Sequence, residues 1–279
     1  MLTDEQFKAF QTSGYCVVEG FKSQVELEAL RAAASAIVDD FDAEGQRSIF
    51  TTRDHEKTRD DYFLTSGNTV RCFFEEEAFD ENGQLAQDKA LSINKIGHAM
   101  HDLDPAFEAF ARDPRCGKIA RQLGQSDPKI WQSMYIFKQP RIGGEVNWHQ
   151  DATFFYTTPL SVLTYWFAVD DATLDNGCLW VSEEGIDTPL RQRFCLRDDA
   201  VAMDTLSDAP WPDDASAKPL EVKAGTLVLF HGLLPHYSPS NRSDKARHAF
   251  TLHVCDGAAE YSELNWIQRD AAFPARGFG

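Results

Sequence analysis

The amino-acid sequence predicts a mainly β fold with flanking helices. Up to about residue 125, apolar residues recur at three- and four-residue spacing behind helix-start signals, which favours helices. From Lys129 onward they gather in short β-rich segments bounded by Gly, Pro, Asn and Asp. No internal repeat or Gly/Ser linker divides the sequence. We therefore expect one domain over residues 1–279, with a mainly helical part at 1–125 packed on a β core at 128–256.

Two helices are expected near the start of the chain. Residues 3–6 and 23–26 read Thr-x-x-Gln and Ser-x-x-Glu, the capping-box spacing that satisfies free backbone N–H groups at a helix start. The second helix carries an apolar stripe over residues 25–41. Between the helices, Gly14 is suited to ending the first, and residues 15–18 are expected to form a short strand.

The middle of the chain is expected to hold an irregular stretch and further helices. The polar residues 51–68 predict irregular structure. Helical signals return over residues 92–123, where Asp104 and Asp113 each precede a proline suited to the first helical turn, so several short helices are expected. The β-rich segments that follow cover residues 130–137, 161–169, 178–181, 226–230 and 249–254.

The composition argues against several classes of partner. The 27 basic and 44 acidic residues give a net charge of −17, which would repel the phosphates of a nucleic acid. The first residues lack a secretion-signal pattern, and no stretch approaches the roughly 20 apolar residues of a membrane span. The six cysteines are scattered without a C-x-x-C pair, as expected for reduced thiols in the cytoplasm. The oligomeric state stays open.

A candidate metal site begins at His149 and Asp151, which form an H-x-D triplet. In an extended segment, residues two apart face the same side, so the imidazole and the carboxylate can reach one ion. His236, directly after a predicted strand, is the candidate third ligand, and His231 in the same segment is its competitor. Two histidines and one carboxylate on one face of an octahedral iron leave three adjacent positions open for a chelating co-substrate and O₂.

A carboxylate clamp is predicted close to this ligand set. Arg247 follows His236 by eleven positions, and Ser238 follows it by two. A 2-oxoglutarate molecule chelated to iron presents its other carboxylate several ångströms away, where a guanidinium can bind it bidentately and a hydroxyl can add a bond. The alternative for Arg247 is a surface arginine near Asp244.

The spacing H-x-D, then a distal H-x-S, then an arginine eleven residues after that histidine resembles the phytanoyl-CoA dioxygenase family. The resemblance covers most of the chain, with matching stretches at residues 61–64, 66–67, 92–98, 132–140, 143–146 and 171–180. It implies a double-stranded β-helix, a jelly roll of the cupin kind. It also implies that the protein uses Fe(II), the co-substrate 2-oxoglutarate and O₂.

Carried over residue by residue, the resemblance implies the iron ligands His149, Asp151 and His236. It implies 2-oxoglutarate contacts from Lys95, Met134, Trp166, Ser238 and Arg247. From residue type alone, Met134 and Trp166 would be core residues, and Lys95 would be a solvated charge on a helix.

Three functions are open at this point. The leading interpretation is an enzyme that hydroxylates a small-molecule or acyl substrate and releases succinate and CO₂. A cupin-like metal-dependent hydrolase or isomerase would use the same ligands without a carboxylate clamp, and a non-catalytic ligand-binding jelly roll would show no turnover. Many family members carry Pro-Gly-Ser-His near the cavity mouth, where this chain reads Val-Ser-Glu-Glu-Gly at 181–185, so their substrate preference is not carried over.

Overall fold

The computed structural model describes residues 1–52, 60–197 and 200–278. Within these ranges the helices are Asp4–Ser13 (α1), Gln24–Asp40 (α2), Asp61–Leu64 (α3), Met100–Leu103 (α4), Pro105–Ala111 (α5) and Pro114–Gln122 (α6). The strands are Tyr15–Val18 (β1), Val70–Phe74 (β2), Ile93–His98 (β3), Pro128–Ile136 (β4), Val146–His149 (β5), Thr157–Thr158 (β6), Leu163–Ala168 (β7), Leu179–Ser182 (β8), Gln192–Arg197 (β9), Ala200–Thr205 (β10), Ala217–Leu220 (β11), Leu227–His231 (β12), His236–Ser238 (β13), Ala249–Asp256 (β14) and Glu260–Tyr261 (β15).

Two antiparallel sheets form the jelly roll that the resemblance implied. The larger sheet has the order β1-β12-β7-β14-β4-β3-β2, and the smaller sheet has the order β11-β8-β13-β5. The non-sequential order brings strands together that are far apart in the chain, as β13 and β5 are in the smaller sheet. A cavity lies between the sheets, because its lining takes Trp166 from the larger sheet and His236 from the smaller one.

Strand β14 shows how the alternation of side chains separates core from cavity. Phe250, Leu252 and Val254 are buried in the main hydrophobic core. Thr251 and His253 point to the opposite face and line the cavity, as the two-residue period of a strand requires. Helices α2, α5 and α6 pack on the outer face of the larger sheet in this core, and the inner face lines the cavity.

The predicted helix starts are confirmed. Both capping boxes are present, at Thr3 for α1 and at Ser23 for α2, and Gly14 ends α1 in the left-handed conformation with φ of 76°. Asp104 and Asp113 cap α5 and α6 in front of their prolines. Along the described chain, no helix combines the length and apolar character that crossing a membrane would take.

Two predictions in the N-terminal part are wrong. Helical structure was expected over residues 92–123, but Ile93–His98 is strand β3, which is flanked by β2 and β4 and buried almost throughout. A strand covered on both faces loses the polar alternation by which strands are recognised. Within the stretch 51–68 that was expected to be irregular, Asp61–Leu64 forms one helical turn capped by Asp60, and residues 53–59 lie outside the described part.

Candidate functional site

The structure brings His149, Asp151 and His236 together. His149 ends β5 and lies directly opposite His236 in the antiparallel pairing with β13, and the two rings are 4.1 Å apart between centroids. Asp151 opens a single 3₁₀ turn immediately after β5. Its Oδ1 is 3.6 Å from Nε2 of His149 and 3.9 Å from Nε2 of His236. One ligand atom from each residue therefore falls within 4.8 Å of the others, close enough to share one ion.

Hydrogen bonds orient both imidazoles toward the shared point. Nδ1 of His149 lies 2.8 Å from the carbonyl oxygen of Asn147, and Nδ1 of His236 lies 3.0 Å from that of Leu234. Because a carbonyl only accepts, each Nδ1–H donates and each Nε2 keeps a free lone pair, which is the form that binds metals. Burial, followed by the neighbouring His236, lowers the pKa of His149 to about 4, so this imidazole is neutral at physiological pH.

Asp151 is held as a carboxylate. Burial opposes its ionisation, but His236, His253 and His149 outweigh burial and lower its pKa below the usual range. Thr164 donates a hydrogen bond from Oγ1 to the second carboxylate oxygen, which leaves Oδ1 facing the two histidines. Two imidazole nitrogens and one carboxylate oxygen on one side of a point fit the donor set of a non-haem iron.

Arg247 is buried beside this set. Its side chain is 2% exposed, and its Nε and Nη1 atoms have no hydrogen-bond partner among the described residues. Nη2 lies 3.4 Å from Oγ of Ser238, and the guanidinium carbon lies 5.3 Å from the ring centroid of Trp166. Burial lowers its pKa to about 10, so the group remains a cation at neutral pH. A buried cation with free donors fits a carboxylate-bearing co-substrate.

The alternative of a surface Arg247 near Asp244 is wrong, because Asp244 pairs with Arg141 at 2.8 Å. His231 does not join the candidate ligands either. It ends β12, and its Nδ1 accepts a hydrogen bond of 3.1 Å from the backbone N–H of Leu233.

Lys95 lies in strand β3 and is 3% exposed, so its interpretation as a solvated helix charge is wrong. Its Nζ is 3.7 Å from Sδ of Met134 and 3.3 Å from the ring centroid of Phe50. Burial lowers its pKa well below the usual value. All eight residues predicted for metal and co-substrate line a single cavity of about 230 Å³: Lys95, Met134, His149, Asp151, Trp166, His236, Ser238 and Arg247.

Sequence reasoning missed two further histidines of this cavity, His98 and His253. His253 follows Thr251 by two positions in β14, so strand alternation alone would have placed it on the cavity face. His98 ends a strand that was mistaken for helix, and no spacing pattern marks it.

Comparison with known proteins places this architecture in a family. The family described as phytanoyl-CoA dioxygenase (PhyH) matches residues 10–249. Phytanoyl-CoA dioxygenase 1 of Oryza sativa subsp. japonica is 45% identical over 271 residues, covering 96% of this chain and 94% of that protein. Phytanoyl-CoA dioxygenase domain-containing protein 1 of Danio rerio is 40% identical over 284 residues, covering 98% and 97%.

Solved structures share the fold at lower identity. The α-ketoglutarate-dependent carbocyclase SnoK of nogalamycin biosynthesis matches with a TM-score of 0.67 at 20% identity, covering 99% of this chain and 96% of that one. The epimerase SnoN, in complex with Fe³⁺, α-ketoglutarate and nogalamycin RO, matches with a TM-score of 0.63 at 15% identity, covering 98% and 91%.

Proposed function

Because this chain belongs to the phytanoyl-CoA dioxygenase family, which makes it an iron- and 2-oxoglutarate-dependent oxygenase, we propose that it hydroxylates a small-molecule or acyl substrate. The balanced reaction converts R–H, O₂ and 2-oxoglutarate into R–OH, succinate and CO₂. Iron held by His149, Asp151 and His236 would supply the redox chemistry that joins the reduction of O₂ to the oxidative decarboxylation of 2-oxoglutarate.

The observation that carries the proposal is the buried Arg247 with two free donor atoms in the same cavity as the His149, Asp151 and His236 set. Under the proposal, those three residues hold the iron, and Arg247 binds the distal carboxylate of 2-oxoglutarate with Ser238. A metal-dependent hydrolase does not require a carboxylate clamp, and a guanidinium buried without a partner costs free energy.

Three further residues would shape the co-substrate subsite. Trp166 lies beneath the Arg247 guanidinium and shields it from water. In such a dry setting a charge-assisted hydrogen bond to a carboxylate is stronger than in solvent. Lys95 and Met134 adjoin the same cavity, and Lys95 would gain a favourable partner when an anion binds nearby.

The experiment is reconstitution with Fe(II), 2-oxoglutarate and O₂, followed by a screen of organic acids, amino-acid derivatives, lipids and acyl-CoA thioesters. Succinate formation scores turnover, and a mass gain of one oxygen atom identifies the hydroxylated substrate. His149→Ala is the inactive reference, and His231→Ala is the matched control, because His231 lies outside the predicted ligand set. A wild-type protein that forms no more succinate than His149→Ala with every candidate would contradict the proposal.

A further inference from the structure

Two buried histidines beyond the predicted iron ligands line the cavity. His98 ends β3 with an exposure of 0%, and His253 lies in β14 with an exposure of 3%. On each ring one nitrogen is engaged by the protein. The other nitrogen, Nε2 of His98 and Nδ1 of His253, has no partner in the part of the chain that the structure describes.

The hydrogen bonds around Ser66 determine the tautomer of His98. The Ser66 hydroxyl donates its single proton to the carbonyl oxygen of Phe63 at 2.5 Å. Oγ of Ser66 therefore accepts from Nδ1–H of His98, which lies 2.7 Å away. Burial, and then the charge of Lys95, hold the pKa of His98 well below its usual value, so the ring is neutral. Its free Nε2 is thus a hydrogen-bond acceptor.

His253 lies beside the predicted ligand Asp151. Its Nε2 lies 3.5 Å from Oδ2 of Asp151, so the N–H faces the carboxylate. The ring stacks on Phe155 with centroids 4.7 Å apart and planes 16° apart, which fixes its direction. The cavity thus contains one buried nitrogen shown to be an acceptor, Nε2 of His98, which would gain free energy from a donor.

The walls around His98 are aromatic. The ring of Phe63 stacks on Trp266 at 4.8 Å, and Trp266 meets His98 edge-on at 5.2 Å. Asp151 is the one carboxylate among the described residues that line the cavity. Three lysine and arginine side chains are among the described residues that line the same cavity: Lys138 donates to the carbonyl oxygen of Gly144 at 2.7 Å, Arg247 lies beside Ser238, and Lys95 lies 3.3 Å from the ring centroid of Phe50.

We propose that Nε2 of His98 accepts a hydrogen bond from a hydroxyl or N–H group of the primary substrate, whose adjoining part is apolar and packed against Phe63 and Trp266. This inference rests on the proposed function, because it names the class of molecule that the same site oxidises. A site that provides acceptors for a donor discriminates against an analogue that lacks the donor, because the acceptors then stay unpaired.

The test compares three probes of one skeleton on the anaerobic protein loaded with Fe(II) and 2-oxoglutarate. The probes are 3-phenylpropan-1-ol, 1-fluoro-3-phenylpropane and 3-phenylpropanoate, and calorimetry measures their Kd. Fluorine is close to a hydroxyl in size and cannot donate. The alcohol should bind about 3- to 10-fold more tightly than the fluoride, the range expected for one neutral hydrogen bond. The carboxylate should bind more weakly than the alcohol, since the lone pair of His98 Nε2 would face an anion that has no proton to donate.

Two substitutions test whether His98 is responsible for the preference for the alcohol over the fluoride. His98→Leu should reduce the alcohol-to-fluoride ratio to about one, whereas His231→Leu, which changes a histidine that does not line the cavity, should leave the ratio unchanged. Titration of 2-oxoglutarate into each variant checks that the co-substrate subsite is intact.

Equal binding of alcohol and fluoride to the wild-type protein would overturn the inference, and this comparison needs no variant to fold. Tightest binding of the carboxylate would overturn it in favour of recognition by Lys95, and failure of the alcohol to bind would also overturn it. Selective binding of the alcohol by a protein that forms no succinate would instead contradict the proposed function and leave the inference standing.

Discussion

Replacing Arg247 by methionine should separate binding of 2-oxoglutarate from binding of iron. Methionine keeps most of the buried volume against Trp166 but removes Nε, Nη1 and Nη2. The carboxylate would lose two charge-assisted hydrogen bonds worth about 1.5–3 kcal/mol each. The loss of about 3 kcal/mol or more corresponds to a Kd at least about 100-fold higher. Iron affinity should change far less, because Arg247 is not in the predicted ligand set.

The same substitution should not destabilise the protein without its co-substrate. In the wild type, a guanidinium is buried with two unpaired donors, and exchanging a buried uncompensated charge for an apolar side chain is neutral or stabilising. We therefore expect an unchanged or higher Tm for unliganded Arg247→Met, together with loss of the Tm increase that 2-oxoglutarate gives the wild type.

The assay is titration of 2-oxoglutarate into the anaerobic Fe(II) protein, followed by the metal-to-ligand charge-transfer absorbance. Arg247→Lys should recover only part of the affinity, because an ammonium cannot reproduce the planar fork. Ser238→Ala should cost less than either arginine change. Arg141→Met is the matched control, since Arg141 is an exposed arginine paired with Asp244. Unchanged affinity in a folded, iron-loaded Arg247→Met protein would refute the clamp.

Three further predictions concern other charged groups. Asp151→Gly should lose hydroxylation, and the wild type should yield no chlorinated product by mass spectrometry in chloride buffer, because Asp151 would occupy the position that halide needs at iron. Burial keeps the folded-state pKa of Lys95 below its unfolded value of 10.5, so the unfolded chain binds more protons and the stability of the fold increases as the pH rises toward 10.5. Lys95→Met removes this group and should therefore flatten the rise of Tm with pH in the unliganded protein. Asp102→Asn should lower the free energy of unfolding, measured in urea at pH 7, by about 3 kcal/mol. Burial raises the pKa of Asp102, but His101 and Arg276 outweigh burial and lower that pKa. The stabilisation is therefore complete above the unfolded pKa of 3.8 and should be lost as the pH falls below 3.8.

Much of the fold follows from local signals in the sequence. Capping boxes and Asp-Pro pairs mark the helix starts, because they satisfy backbone N–H groups within four residues. The later β segments are marked by their content of β-branched and aromatic residues and by the turn residues that bound them. Strand β3 escaped recognition because the larger sheet buries polar and apolar side chains alike along it, so its sequence Ile-Asn-Lys-Ile-Gly-His shows no two-residue period.

In the candidate site, too, local spacing predicts some of the residues, and long-range strand pairing brings in the others. His149 and Asp151 are two residues apart, so their common direction can be derived from strand geometry. Their meeting with His236, 85 positions after Asp151, depends on the pairing of β5 with β13, which is a long-range contact that no local pattern specifies. Lys95 and Trp166 were named only through the family resemblance, because a buried lysine and a buried tryptophan have no spacing signature.

We expect His149, Asp151 and His236 to hold the iron on which the activity depends. Anaerobic equilibrium dialysis against Fe(II), followed by metal analysis, tests it most directly. The wild type and His231→Ala should each retain one iron per chain, whereas His149→Ala and His236→Ala should retain little, because each loses one of three protein ligands. A folded His236→Ala protein that keeps one iron per chain with wild-type affinity would contradict the account.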